Sequence, residues 1–125
     1  MNKWFSLIVG GASGTLARYF LSGFVYHLAG PSFPYGTLTV NLLGCFLLGF
    51  FAVVASAKFL GGIQDELLLM VGFCGAFTTF SALILESSNL IKGGESVKAF
   101  AYIMASVAAG FLALRIGVWA GELIS

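Results

Sequence analysis

Long apolar stretches separated by short polar turns divide the chain into four segments. They run roughly from Trp4 to Leu28, from Gly36 to Ala57, from Gln64 to about Ile91 and from Val97 to Ile124. Each stretch exceeds the roughly 20 residues that a helix needs to cross about 30 Å of hydrocarbon. The pattern therefore predicts an all-α integral membrane protein, with four transmembrane helices forming a single domain over residues 1–125.

The turns between these segments carry the expected helix-breaking and charged residues. Gly30, Pro31 and Pro34 follow the first segment, while Lys58 and the Gly61-Gly62 pair follow the second. A short polar turn from Lys92 to Ser96 precedes the fourth. Because short connections in a helical bundle join antiparallel neighbours, we expect consecutive helices to lie side by side, with both termini on one side of the membrane.

The composition supports a membrane protein and excludes several other classes. Hydrophobic residues make up 59% of the chain and charged residues 9%, whereas soluble domains carry roughly a quarter charged residues. A net charge of +1 gives no indication of a nucleic-acid partner. Cys45 and Cys74 lie in apolar segments without a paired-cysteine motif, so we interpret them as small buried hydrophobes. With His27 as the single histidine, a Cys/His metal site is not indicated, and no nucleophile-base pair indicates an enzyme.

The positive charges do not select one orientation in the membrane. Lysines and arginines normally accumulate in cytoplasmic loops, but Lys3 and Lys58 lie on the side of the termini while Lys92 and Lys98 lie on the other side. This balance indicates insertion in both orientations and an antiparallel homodimer with a two-fold axis in the membrane plane. The alternative is one fixed orientation chosen by other details.

The third segment contains a stretch that is unsuited to an uninterrupted helix. From Gly72 to Ser81 it mixes glycine, threonine and aromatic residues at mid-span, all poor choices for a continuous helix. A break there has to face the protein interior, because backbone groups in lipid find no other partners, and its freed carbonyls could hold a dehydrated cation. The alternative is that Gly72 and Gly75 merely allow close helix packing.

Polar residues at membrane depth are costly and usually line a route or bind something. Most of those in this chain are neutral hydrogen-bond donors, which suit an anion that sheds its water without being trapped by a full positive charge. They are accompanied by a few charged residues; the set is Arg18, Thr37, Thr39, Asn41, Thr78, Thr79, Ser81, Glu86, Tyr102, Ser106 and Arg115. Aromatic ring edges also attract small anions, and Phe77 and Phe80 lie inside the predicted break.

Three motifs give the chain a specific resemblance. They are Gly36-Thr37-Leu38-Thr39-Val40-Asn41-Leu42-Leu43-Gly44, the stretch from Gly72 to Ser81 followed by Glu86, and Arg18 in the first segment. With these motifs in this order, the chain resembles the Fluc family of bacterial fluoride channels over all four segments. The resemblance implies a dual-topology antiparallel homodimer in the bacterial inner membrane, with two fluoride pores and a central structural sodium ion.

The resemblance also implies roles for individual residues. Backbone carbonyls of Gly75 and Thr78 from both subunits would hold the sodium ion. The pore would be formed by an amide, hydroxyls and aromatic rings, namely Asn41, Phe80, Ser81, Thr37, Tyr102 and Ser106, with Phe77 added for its position in the break. Arg18 and Glu86 would lie at a vestibule. The family's usual second phenylalanine and a threonine are replaced by Leu83 and Ala82, so ring coordination is partly dispensable or conduction is altered.

Two other classes fit parts of the sequence. A small multidrug exporter is also a four-span antiparallel dimer, but it needs a buried carboxylate in the first segment, where this chain has Arg18 and no acid. A membrane scaffold would use Gly10 and Gly14 as packing residues, but it would not need the donors of the second segment. The chain shows no ATP-binding motif, so we expect passive flow: hydrogen fluoride that enters the cell dissociates, and fluoride leaves down its gradient.

Overall fold

The computed structural model describes residues 2–57 and 61–125, and all regular secondary structure in these two ranges is helical. The elements are α1 (Lys3–Ala29), α2 (Tyr35–Ser56), α3 (Ile63–Glu66), a π-helix (Leu67–Cys74), α4 (Gly75–Phe77), α5 (Phe80–Lys92) and α6 (Ser96–Ile124). The predicted segment limits agree with these bounds to within one or two residues. Lys58 lies outside the described residues, so the charge comparison that uses it stays a prediction.

The helix ends follow from local chemistry. The side-chain oxygen of Asn2 accepts hydrogen bonds from the backbone N–H groups of Trp4 and Phe5, at 2.7 and 3.3 Å, and so caps the donors that the first turn leaves free. Gly30 ends α1 with a φ of 82°, a conformation that glycine adopts without steric cost. Gly94, in the turn before α6, has a similar positive φ of 78°.

Three of the helical stretches are long and apolar enough to cross a membrane: Tyr35–Ser56, Ile63–Lys92 and Ser96–Ile124. The chain is therefore a multi-pass membrane protein. The helix α1 is not among them, although its 27 residues extend over about 40 Å. Its outer surface is nevertheless apolar, since Trp4, Ile8, Phe20 and Phe24 are all more than half exposed.

The closest helix pairs meet at glycines. The helix α1 packs on the π-helix and α2 packs on α6, and these contacts are more extensive than those between the consecutive pairs α1–α2 and α5–α6. A Cβ atom at Gly10 would overlap the carbonyl oxygen of Leu68, and one at Gly14 would overlap that of Phe73. Small residues let backbones approach in this way inside membranes, so the packing role considered for Gly10 and Gly14 is what the structure shows.

The break in the third segment is two residues wide. Thr78 and Thr79 are extended, with φ/ψ of −92°/158° and −150°/114°, between α4 and α5. The packing interpretation of the nearby glycines holds at Gly72 but not at Gly75. A Cβ at Gly72 would lie 3.0 Å from the Cα of Gly10, whereas one at Gly75 would have nothing within 4 Å. Gly72 therefore serves helix packing, and Gly75 leaves open surface beside the break.

We predict that Gly10→Ala destabilises the fold while the neighbouring Gly11→Ala does not. Both substitutions gain about 0.5–1 kcal/mol of helix propensity. At Gly10 the added methyl meets the backbone of the π-helix, and at Gly11 it meets open space, so only the former costs the roughly 1–3 kcal/mol of overpacking. Thermal unfolding of the detergent-solubilised variants measures the difference. Equal melting temperatures for the two variants would contradict the packing described here.

Candidate functional site

The break is held by one side-chain amide. Asn41 of α2 accepts a hydrogen bond from the Thr79 backbone N–H at 2.7 Å and donates one to the Thr79 carbonyl at 3.1 Å. A carboxamide has the same donor and acceptor as a peptide unit, so Asn41 pairs with Thr79 as a neighbouring strand would. The backbone N–H can bond only to the amide oxygen, and this fixes the orientation of the amide.

Two more side chains satisfy backbone groups at the break. In a continuous helix the N–H of Ala82 would bond to the Thr78 carbonyl, but here it bonds to the Thr79 hydroxyl at 3.2 Å. The Nε of Arg18 donates to the carbonyl of Ala76 at 2.9 Å, in place of a backbone donor from α5. Arg18 therefore contacts α4 directly before the break, and the vestibule role predicted for it stays a prediction.

These exchanges free carbonyl oxygens on the residues predicted to hold a cation. An unbroken helix would direct the Thr79 N–H to the Gly75 carbonyl, but Asn41 takes that donor. The Thr78 carbonyl likewise loses the N–H of Ala82. Carbonyl oxygens are ligands suited to hard cations such as sodium. The donor chemistry at Gly75 and Thr78 therefore fits the predicted sodium site.

A cavity of about 260 Å³, which we call the break cavity, lies beside Asn41. It brings together three predicted pore residues from three helices: Asn41, Phe80 and Ser106. The hydroxyl of Ser106 is buried and finds no hydrogen-bond partner in the part of the chain that the structure describes. Leu83 lines the same cavity, so the residue that replaces the family's second phenylalanine stands where a ring would face the cavity.

A second polar cluster surrounds Glu86. Its carboxylate accepts hydrogen bonds from the hydroxyls of Tyr26 and Thr37, at 2.5 and 2.6 Å, and it borders an open cavity of about 230 Å³. Thr37 therefore lies with Glu86 and does not line the break cavity. Tyr26 was missed by the sequence analysis; it lies 60 positions from Glu86, and no local pattern connects the two.

The remaining three predicted pore residues lie outside the break cavity, each in a different environment. Tyr102 is fully buried one helical turn from Ser106, and its hydroxyl has no partner among the described residues. Phe77 is buried and stacks on Phe73, with ring centroids 5.5 Å apart. Ser81 is exposed, with its hydroxyl 3.3 Å from that of Thr79. None of the three lines the break cavity as described, and their pore roles stay predictions.

Comparisons with known proteins agree on one family. A family model described as "CrcB-like protein, Camphor Resistance (CrcB)" matches residues 5–118. A protein of Rhizobium etli named "Fluoride-specific ion channel FluC" is 46% identical over 110 residues, which is 88% of each chain. Proteins of the same name from Solidesulfovibrio magneticus and Dehalococcoides mccartyi are 42% and 41% identical over 124 residues, covering 99% of this chain and 99% and 95% of theirs.

These relatives are named as channels and not as enzymes, in agreement with the expectation of transport without enzyme chemistry. The family match and the relatives both extend over most of the chain. The motifs in the second and third segments lie inside the matched range. The resemblance inferred from those motifs is therefore confirmed, and this chain belongs to the CrcB-like, or Fluc, family.

Proposed function

We propose that the chain forms a passive, fluoride-selective channel that lets fluoride leave the cytoplasm. The observation that carries this proposal is the break cavity, where neutral donors that still have a free proton converge. Asn41 uses one amide proton on Thr79 and keeps a second, and the buried Ser106 hydroxyl is unpaired within the described chain. The names of the relatives support fluoride as the ion.

The charges around the break cavity favour passage of a small anion over its capture. Fluoride is strongly hydrated, so several donors have to replace its water at once, and binding has to stay weak enough for the ion to leave. The residues lining the cavity are all uncharged. The positive charge of Arg18 is engaged with Ala76, and the negative charge of Glu86 lies in the separate polar cluster with Tyr26 and Thr37.

We further propose that two copies pair in antiparallel fashion and form two pores, with a sodium ion between the breaks. The freed carbonyls of Gly75 and Thr78 would hold the ion from both subunits. The surface at Gly75 is exposed, and a Cβ there would meet nothing within 4 Å, which leaves room for a second copy. When bound, the ion supplies positive charge that offsets the facing carbonyl dipoles.

The proposal includes α1 as the fourth membrane span and the bacterial inner membrane as the location. The helix is long enough, and its apolar outer surface suits lipid or a partner subunit. It also has to lie at the depth of the others, because Arg18 contacts α4 directly before the break and Gly10 and Gly14 contact the π-helix. A helix packed along a membrane span over this length shares its environment.

The first test is fluoride efflux from liposomes that contain the purified protein. We expect rapid efflux with the native chain and background efflux with Asn41→Asp. An aspartate places an acceptor-only negative group in the anion path and loses the bond to the Thr79 carbonyl. The matched control is Thr39→Val on the same helix, whose hydroxyl bonds the α2 carbonyl of Tyr35 and should be dispensable. Fluoride-tight liposomes with native protein would refute the channel.

A second variant distinguishes a loss of conduction from a loss of stability. Ser106→Ala removes a buried hydroxyl that has no partner in the described chain, so it leaves no protein group unpaired and should not lower stability. We expect about 10-fold or greater loss of fluoride efflux, the effect of about 1.4 kcal/mol in the barrier, with an unchanged melting temperature. Normal efflux from this variant would remove Ser106 from the pore.

Sodium removal tests the cation site. An ion that binds only the folded dimer stabilises it by mass action, by about 2.7 kcal/mol at 100 times its dissociation constant. We therefore expect a lower melting temperature when protein is purified in N-methylglucamine chloride, and recovery when sodium is restored. Potassium at the same ionic strength is the control for general salt effects. Identical melting in all three buffers would contradict a structural sodium ion.

Reporter fusions at the C-terminus test the dual topology. Two-way insertion predicts that a reporter active only in the cytoplasm and one active only in the periplasm both give signals, because the chain's lysines are balanced across the membrane. Adding two lysines after Ser125 should shift the population toward one orientation. A signal from one reporter alone, before that addition, would rule out dual insertion.

A further inference from the structure

A second cavity at the break brings three sulfur-bearing side chains together. Its volume is about 170 Å³, and it is bordered by α2, the π-helix and the break. Cys45 lines it from α2, while Met70 and Cys74 line it from the π-helix. We call it the sulfur cavity. Nothing in the sequence spacing of the two cysteines indicates this meeting, which the fold alone produces.

The local backbone explains why these residues converge. Gly44 lets α2 approach the break so closely that a Cβ there would overlap the methyl group of Thr78, and the next residue of α2, Cys45, borders the cavity beside this contact. On the other wall, the π-helix closes its hydrogen bonds over five residues, so Met70 and Cys74 lie nearly one turn apart on a shared side. Both cysteines are free thiols.

We propose that the sulfur cavity is a binding site for a soft, thiophilic metal ion, with the thiolates of Cys45 and Cys74 as principal ligands and the Met70 thioether as a weaker third. Thiolates and thioethers select soft ions, whereas sodium and calcium prefer oxygen. The cavity's volume of about 170 Å³ leaves room for one ion between the two walls. The site adjoins the proposed fluoride pathway, because Asn41, Cys45 and Thr78 line both the sulfur cavity and the break cavity.

Mercuric chloride is a suitable probe because it is uncharged and crosses lipid. In the proposed reaction each thiol S–H bond breaks and its proton passes to the buffer. Each sulfur then donates an electron pair to mercury, and the two chlorides leave, so no atom is oxidised or reduced. Two thiols that share one ion consume one mercury per chain, whereas two independent thiols consume two.

The experiment titrates purified protein with mercuric chloride and follows the sulfur-to-mercury charge-transfer absorption together with the thiols still reactive toward a maleimide. We expect saturation at one mercury per chain with both thiols lost. Saturation at two per chain would overturn the shared site. Saturation at one mercury per chain with one thiol still reactive would overturn it as well.

Variants identify the ligands. Cys45→Ser and Cys74→Ser should each release mercury to added glutathione at least 10-fold faster than the native chain, because one thiolate is lost. Met70→Leu should speed the release of mercury by a smaller factor. Its matched control is Met104→Leu, which changes an exposed methionine of α6. If Cys45→Ser bound one mercury tightly per two chains, Cys74 would be bridging two copies, and the single-chain site would be wrong.

Fluoride efflux provides a separate measurement. We expect mercuric chloride to lower efflux at least 10-fold in native liposomes, relative to the same liposomes without mercury, because Cys45 also lines the break cavity and a metal ion bound to it lies beside the proposed pathway. The double variant of Cys45 and Cys74 to serine should show the same efflux with and without mercury. If the chain carried no fluoride at all, the titration would still decide the metal site.

Discussion

The pairing of one amide side chain with one backbone residue supports the whole centre of this protein. A peptide unit left unpaired in an apolar environment costs several kcal/mol, and the extended residues Thr78 and Thr79 would create several such groups. Asn41 offers both a donor and an acceptor to Thr79. The break cavity, the sulfur cavity and the freed carbonyls all lie beside this pairing, so each depends on α2 holding its position.

The close glycine contacts make that position possible. Gly10 and Gly14 bring α1 against the π-helix, and from there Arg18 reaches the carbonyl of Ala76. On the opposite side Gly44 brings α2 against Thr78. The third segment therefore packs between α1 and α2, and Arg18 and Asn41 replace hydrogen bonds that its backbone has lost. Such replacement allows a broken helix to persist inside a membrane protein.

The sequence predicted the helices and the region of the break but not the contacts within it. Helix limits follow from apolar length and from Gly30 and its neighbouring prolines, which act locally. The amide pairing joins residues 38 positions apart and the Tyr26–Glu86 contact joins residues 60 apart, so neither leaves a local pattern. The same limit applies to aromatic residues. The sequence gives Phe77 and Phe80 the same reason to be pore residues, since both lie in the predicted break, yet Phe77 is buried in the core and Phe80 is 75% exposed.

The orientation of the Asn41 amide also resolves a difficulty in its proposed role. A carboxamide carries an acceptor as well as donors, and an exposed acceptor in an anion path would repel the ion. Here the oxygen accepts a hydrogen bond from the Thr79 N–H. A flipped amide would turn its NH2 group toward that N–H, and two donors cannot bond to each other. Of the hydrogen-bonding capacity that remains, the second amide proton is the group that attracts an anion. The backbone break thus presents asparagine to the cavity chiefly as a donor, without any added positive charge.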